Sequence, residues 1–209
     1  MKTFIFDFDG TLCDSYVESL RVMNELAPRF GYNVWDEARF DELRDMGFNE
    51  FQAAIGVSLH QLPAIVHEGR KRMRERVASL APVAGLAEAL AGLHERGASL
   101  GILTSNSLEN VELFLERNRL GPFEFIHGGS SLFGKARHLR KILKSRKLLA
   151  ADVAYVGDEA RDVRAARSAG VTAVAVTWGF NSLRLLGETA PDHTLSHPRE
   201  LVELGSRKR

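Results

Sequence analysis

Hydrophobic positions follow two rhythms along this chain of 209 residues. Residues 4–8 (Phe4-Ile5-Phe6-Asp7-Phe8) are apolar on both faces apart from one acid, which predicts a strand buried within a parallel sheet. After Thr11 the period lengthens. Val17, Leu20, Met23 and Leu26 recur at helical spacing as far as Pro28, with Ser15 and Glu18 placed as a capping box. Further helices are predicted over 36–44, over 50–55 with Asn49 as cap, and from Pro63 to about 80, the last turning Val66, Met73, Val77 and Leu80 inward. From there strands and helices alternate. The expected helices are 82–96 closed by Gly97, one opened by Asn106 and Glu109 and stopped at Gly121-Pro122, 135–146, 160–169 closed by Gly170, and 198–204. The strands between them are 99–104, 123–127, 153–156, 171–176 and a short edge strand at 193–195.

Alternation of this kind defines an α/β class with a parallel sheet and right-handed crossovers. The strandless stretch 15–80 leaves from the end of the first strand. Ligands of such sheets bind beyond the carboxyl ends of the strands, so the stretch is expected to form a helical lid over the site. The expected division is a core of 1–14 and 81–209 and an all-α cap of 15–80.

Composition narrows the classes of partner. Hydrophobic residues make up 44% and charged residues 26%, ordinary for a globular protein. A net charge of +1 offers no field to recruit nucleic acid or an anionic membrane, and no apolar run reaches the ~20 residues of a membrane span. The single cysteine, Cys13, excludes an intramolecular disulfide, suits a reducing cytosol, and reads as packing. No secretory signal is visible, so a cytoplasmic location is expected. Arg70, Lys71, Arg72, Arg74 and Arg76 read mostly as a solvated face, and the basic tail 206–209 as a frayed end. The chain shows no repeat, P-loop or closely spaced Cys/His signature. Oligomeric state is not written in it, and a monomer is compatible with it.

The candidate chemistry lies at the predicted strand ends. Asp7 and Asp9 share one, and like charges there raise each other's pKa. The plain alternative is an Asp-Gly turn with solvated acids. The other ends carry Thr104-Ser105-Asn106 and Asp158-Glu159, with Asp162 close behind. Oxygen-only ligands select a hard cation, magnesium or calcium, over zinc. Lys135 and the Thr104 hydroxyl can hold oxygens of a phosphoryl group in transfer. A carboxylate can attack phosphorus, and a second can serve as acid and base. Asp162 reads equally as a first-turn residue pairing with Arg161 or Arg164, and Asn106 as a helix cap. Thr11 reads as holding the turn.

Asp7-Phe8-Asp9-Gly10-Thr11, then Thr104, Lys135 and Gly157-Asp158-Glu159-Ala160-Arg161-Asp162, resemble the four motifs of the haloacid-dehalogenase-like phosphohydrolases. They occur in the family's order over 1–14 and 80–200. The inserted helices resemble the small cap of the phosphoglycolate phosphatase and β-phosphoglucomutase branch. Lys135 is followed by Ala136 where many relatives have proline. The resemblance implies a Rossmann-like three-layer core and a Mg²⁺-dependent phosphatase of small phosphorylated metabolites. It implies Asp7 as nucleophile and Asp9 as general acid/base. Metal would sit on the carboxylates of Asp7 and Asp158 and the carbonyl of Asp9. Thr104, Ser105, Asn106 and Lys135 would line the phosphate site, with Glu159 and Asp162 orienting the metal shell or Lys135. The acid at Asp9 favours phosphate transfer over dehalogenation. One alternative is a phosphosugar mutase, with Arg44 and the basic helix 70–76 holding a second phosphate. Another is a non-catalytic receiver-like domain, against which the long insertion speaks.

Overall fold

A computed structural model describes residues 1–130 and 134–206; the basic residues 207–209 lie outside the described residues. Strand β1 (Thr3–Phe6) lies inside a six-stranded sheet with β2 (Ser99–Leu103), β3 (Phe125–His127), β4 (Val153–Gly157), β5 (Thr172–Val176) and β6 (His193–Leu195). The order is β3-β2-β1-β4-β5-β6, and every pair is parallel. The chain builds outward from β1 on one side, then crosses to β4 and builds outward on the other. The switch point of this doubly wound sheet, where ligand crevices form, is therefore at β1 and β4.

Both faces are covered, which is why these strands read as continuous apolar runs. Phe4 and Phe6 face one side, packed with Leu90 and Leu93 of α5 (Leu86–Glu95), Phe114 of α6 (Leu108–Asn118) and Leu201 of α10 (Glu200–Ser206). Ile5 and Tyr155 face the other, against Leu139 of α7 (Lys135–Ser145) and Val163 and Ala166 of α8 (Ala160–Ala169). Each such fully buried large side chain stabilises the fold by about 1.5–3 kcal/mol. Helix α8 approaches closely because Gly157 has no side chain: a Cβ there would lie 2.6 Å from that of Asp162.

Between β1 and β2 the regular structure is helical: α1 (Tyr16–Phe30), α2 (Phe40–Leu43), α3 (Phe48–Ile55) and α4 (Leu62–Arg76), then α5, with short 3₁₀ turns. Helices α1, α3 and α4 pack a cluster of their own around Val22, Leu26, Ile55, Ile65 and Met73, and α2 packs Phe40 and Leu43 against Tyr16 and Leu20 of α1. Entry and exit of this segment are stitched together. Asp14 N–H donates to Ala81 O at 3.1 Å and Val83 N–H to Leu12 O at 3.1 Å. No helix among the described residues is long and apolar enough to cross a membrane.

Three local expectations are corrected. Helix α1 continues past Pro28 to Phe30 and ends at Gly31, whose φ of 72° is the left-handed geometry that suits glycine. Ser15 precedes α1 but makes no capping bond. The cap of α6 is Ser107, which accepts from Asn110 N–H, not Asn106. Ser15 and Asn106 were drawn off by the same carboxylate.

Candidate active site

That carboxylate is Asp9. Strand β1 ends at Phe6, although Asp7 N–H still donates to Val156 O at 2.8 Å. The chain then turns at Gly10, φ 71°, and the amides of Thr11, Leu12 and Cys13 fold back onto Phe8 O. Whereas Asp7 still continues the strand's pairing with β4, Asp9 thus sits on the turn beyond the end of β1. Its Oδ1 accepts from the Ser15 hydroxyl at 3.0 Å and its Oδ2 from Asn106 Nδ2 at 2.9 Å. Burial, then the charge of Asp7, pushes Asp9 up to about 6. A carboxyl there is matched to proton transfer near neutral pH.

Asp7 lies lower and is buried. Lys135, the first residue of α7, reaches across to place Nζ 2.5 Å from Asp7 Oδ2 and 2.6 Å from Asp162 Oδ1. Burial alone would depress the lysine, but the carboxylates of Asp162 and Asp7 outweigh it and hold the ammonium well above its ordinary value. Asp162 itself is raised by burial to about 6, with Lys135 opposing. Its Oδ2 accepts from Glu159 N–H at 3.1 Å, so the motif's last acid both caps α8 and holds the lysine.

Asp158 follows β4 and is sealed from solvent. Thr11 Oγ1 donates to its Oδ1 at 2.6 Å and Phe180 N–H to its Oδ2 at 2.7 Å. Burial and the charges of Glu159, Asp162 and Asp7 push Asp158 well above the carboxylate range. Gly10 and Gly179 are pressed against it, since a Cβ would lie 2.3 Å and 2.2 Å from its Oδ2. Carboxylate oxygens of Asp7, Asp158 and Asp162 fall within 4.8 Å of one another. Asp7 Oδ1 is buried and has no hydrogen-bond partner among the described residues. An orphaned carboxylate oxygen beside a second buried acid fits a hard divalent cation, which takes oxygen ligands and offsets the like charges.

The phosphate-site candidates divide. Ser105 and Asn106 line a cavity of about 280 Å³ that also contains Asp7, Asp9 and Glu159. Thr104 is buried behind them, its hydroxyl accepting from Asn106 N–H at 3.0 Å. Glu159 is ion-paired with Arg161. Arg44, expected to face substrate, instead donates to Thr177 O at 3.0 Å and lies over the Tyr16 ring, linking the inserted helices to the core.

Several site residues escaped the sequence reading. The loop after β5 braces Asp158 through Phe180 N–H. Asn181 Oδ1 accepts Ala160 N–H at 2.8 Å, and Trp178 Nε1 donates to Thr11 O at 3.1 Å. Arg161 lines the cavity, with Nε and Nη1 buried and unpartnered among the described residues. Arg70, from the inserted helices, lines it as well, a correction to the solvated basic face. A signal for it existed, because Arg70 lies four residues after Val66 and three before Met73, on the inward stripe.

A doubly wound sheet whose switch point gathers three buried acids, a buried lysine and an acid poised near neutrality defines an enzyme of phosphoryl chemistry. The haloacid dehalogenase-like hydrolase family model matches residues 4–176. The phosphoglycolate phosphatase of Synechococcus elongatus is 38% identical over 204 residues, 97% of this chain and 96% of that one. The N-acetylmuramic acid 6-phosphate phosphatase of Pseudomonas aeruginosa is 27% identical, over 98% of this chain and 94% of its own. A haloacid dehalogenase-like hydrolase of Streptococcus pneumoniae has a similar fold, with a TM-score of 0.80 at 22% identity over 98% of each chain. The chain belongs to the haloacid dehalogenase-like hydrolase family and is a phosphatase.

Proposed function

We propose that the protein is a Mg²⁺-dependent phosphomonoesterase of small metabolites that works through an aspartyl-phosphate on Asp7. The observation that carries this reading is the state of Asp7: buried, one oxygen held by Lys135, the other without a partner among the described residues. A held carboxylate has lost its freedom to rotate and is pre-oriented for attack on phosphorus. In the first step the Asp7 oxygen bonds to phosphorus, the bond to the leaving oxygen breaks, and Asp9 gives that oxygen its proton. In the second, Asp9 takes a proton from water, whose oxygen attacks phosphorus and frees Asp7. Lys135 offsets the charge of the transferring group, with Ser105, Asn106 and the turn held by Thr104 shaping its pocket. The carboxylates of Asp7 and Asp158 and the carbonyl of Asp9 would hold Mg²⁺, with Glu159 and Asp162 behind them. When bound, the ion supplies charge neutralisation to the phosphoryl oxygens.

Residues 15–80 act as a cap in this reading, over a core of 1–14 and 81–209, and shield the site from water. The identity to a phosphoglycolate phosphatase makes 2-phosphoglycolate the first substrate to try. A cytoplasmic monomer acting on small molecules, without nucleic acid or membrane, completes the reading. The mutase alternative loses support from Arg44, whose guanidinium donates to Thr177 O and lies over the Tyr16 ring instead of lining the cavity. The test is Asp7→Asn, assayed on 2-phosphoglycolate and an aryl phosphate with Mg²⁺, together with the intact mass of acid-quenched wild type. Turnover should vanish in the variant, and a phosphate adduct should form only on the wild type. Wild-type rates in Asp7→Asn would end the proposal.

A further inference from the structure

We propose that Arg70 determines specificity by meeting a carboxylate on the leaving-group side of the phosphomonoester, so that the enzyme selects small phosphorylated carboxylic acids. This rests on the phosphomonoesterase reading above and assigns a residue to its substrate.

Arg70 differs from its neighbours on α4. Arg72 pairs with Glu25 at 2.9 Å, and Arg76 with Glu25 at 2.6 Å and Glu18 at 2.9 Å. The Arg70 guanidinium is half-buried at the cavity wall and has no hydrogen-bond or ion-pair partner among the described residues. Burial lowers its pKa, and the charge it feels in compensation is that of Asp9. A partly desolvated cation with no counter-ion is costly, and an incoming anion removes that cost.

The backbone shows which end of the substrate Arg70 addresses. Asn110 Nδ2 donates to Arg70 O at 3.1 Å and to Asn106 Oδ1 at 3.0 Å, and Asn106 Nδ2 donates to Asp9 Oδ2 at 2.9 Å. This chain of amides pins α4 over Asp9. Asp9 is the group that protonates the leaving oxygen, whereas Lys135 is bound to Asp7 on the phosphoryl side. Arg70 is therefore placed to meet whatever lies beyond the leaving oxygen.

The rest of that wall restricts the anion. Leu43, Met46, Phe51, Ile55 and Val66 line it, and Arg44 is turned away to Thr177 O. One guanidinium matches one carboxylate as a two-pronged pair. Among these apolar side chains, Arg70 alone could not satisfy the charge and the acceptors of a second phosphate.

The test compares kcat/KM for 2-phosphoglycolate and 2-hydroxyethyl phosphate, which replaces the carboxylate with an uncharged hydroxymethyl group. Wild type should prefer the acid at least ~10-fold, and Arg70→Met should lower that ratio about 10- to 100-fold, mainly through KM, the range for one charged hydrogen-bonded contact. Arg70→Lys, which keeps the charge, should restore part of it. If Arg70→Met turns over neither ester, calorimetric binding of both to Asp7→Asn and to Asp7→Asn/Arg70→Met reads the same ratio. An unchanged ratio overturns the proposal, as does a wild type that prefers n-butyl phosphate to 2-phosphoglycolate, because the apolar wall would then be selecting. Failure of the phosphatase reading is distinct: wild type would hydrolyse none of these esters.

Discussion

Replacing Lys135 with methionine keeps most of the side-chain volume and removes the one charge that joins Asp7 to Asp162. The ammonium lies 2.5 Å from the first and 2.6 Å from the second, and all three groups are buried. Removing one partner of a buried ion pair costs ~3–5 kcal/mol, because the remaining charge has no water to turn to. For a chain of this size each kcal/mol shifts Tm by about 2–4 °C. Lys135→Met should therefore lower Tm by about 6–20 °C, measured by circular dichroism on chelator-treated protein at neutral pH. The double variant Lys135→Met/Asp162→Asn should regain part of the loss, since one uncompensated carboxylate is gone. Mg²⁺ should also restore stability, because binding at about 100 times Kd contributes ~2.7 kcal/mol to the folded state. A metal-free Lys135→Met that melts within ~2 °C of wild type would refute the idea that the lysine holds the acid cluster together.

Two further outcomes follow from the same cluster. Thr11→Val deletes the 2.6 Å bond to Asp158 without changing side-chain shape; activity titrated with Mg²⁺ should show about 10- to 100-fold weaker metal activation, the usual cost of losing a group that orients a ligand. Asp9 and Asp162, both raised to about 6 by burial, bind protons more tightly folded than unfolded. Stability of metal-free protein should then fall as pH rises from the ordinary aspartate range through about 6, so the chelated protein should melt higher near pH 5 than at pH 7.5, a difference that Mg²⁺ removes.

The architecture was legible because burial on both faces leaves a mark in composition. Strands over 99–104, 153–156 and 171–176 could be placed to within a residue or two, and the acids at their ends stood out against apolar runs. The loop after β5 left no such mark. Gly179, Phe180 and Asn181 act on Asp158 and Ala160 through the lack of a side chain, a backbone amide and a single carbonyl oxygen. None of these is a pattern of residue types. Ser15 and Asn106 misled for a related reason. A serine or asparagine before a helix satisfies the rule for a cap, yet the same side chains can turn to a buried carboxylate, where an ionised acceptor makes a stronger bond than a helix amide offers.

Arg70 shows where the sequence can be read further. A run of five cations looks like a solvated surface when its charges are only counted. Mapped onto α4, Arg70 falls on the inward stripe of Val66 and Met73, while Arg72 and Arg76 reach back to the acids of α1. A cation on the inward stripe with no acid at helical spacing to pair with is costly unless something outside the chain completes it. The same reasoning separates Arg44, which also comes from the inserted helices but has its demand met by Thr177 O. Of these two arginines from the inserted helices, the unpartnered one is the one left to choose the substrate.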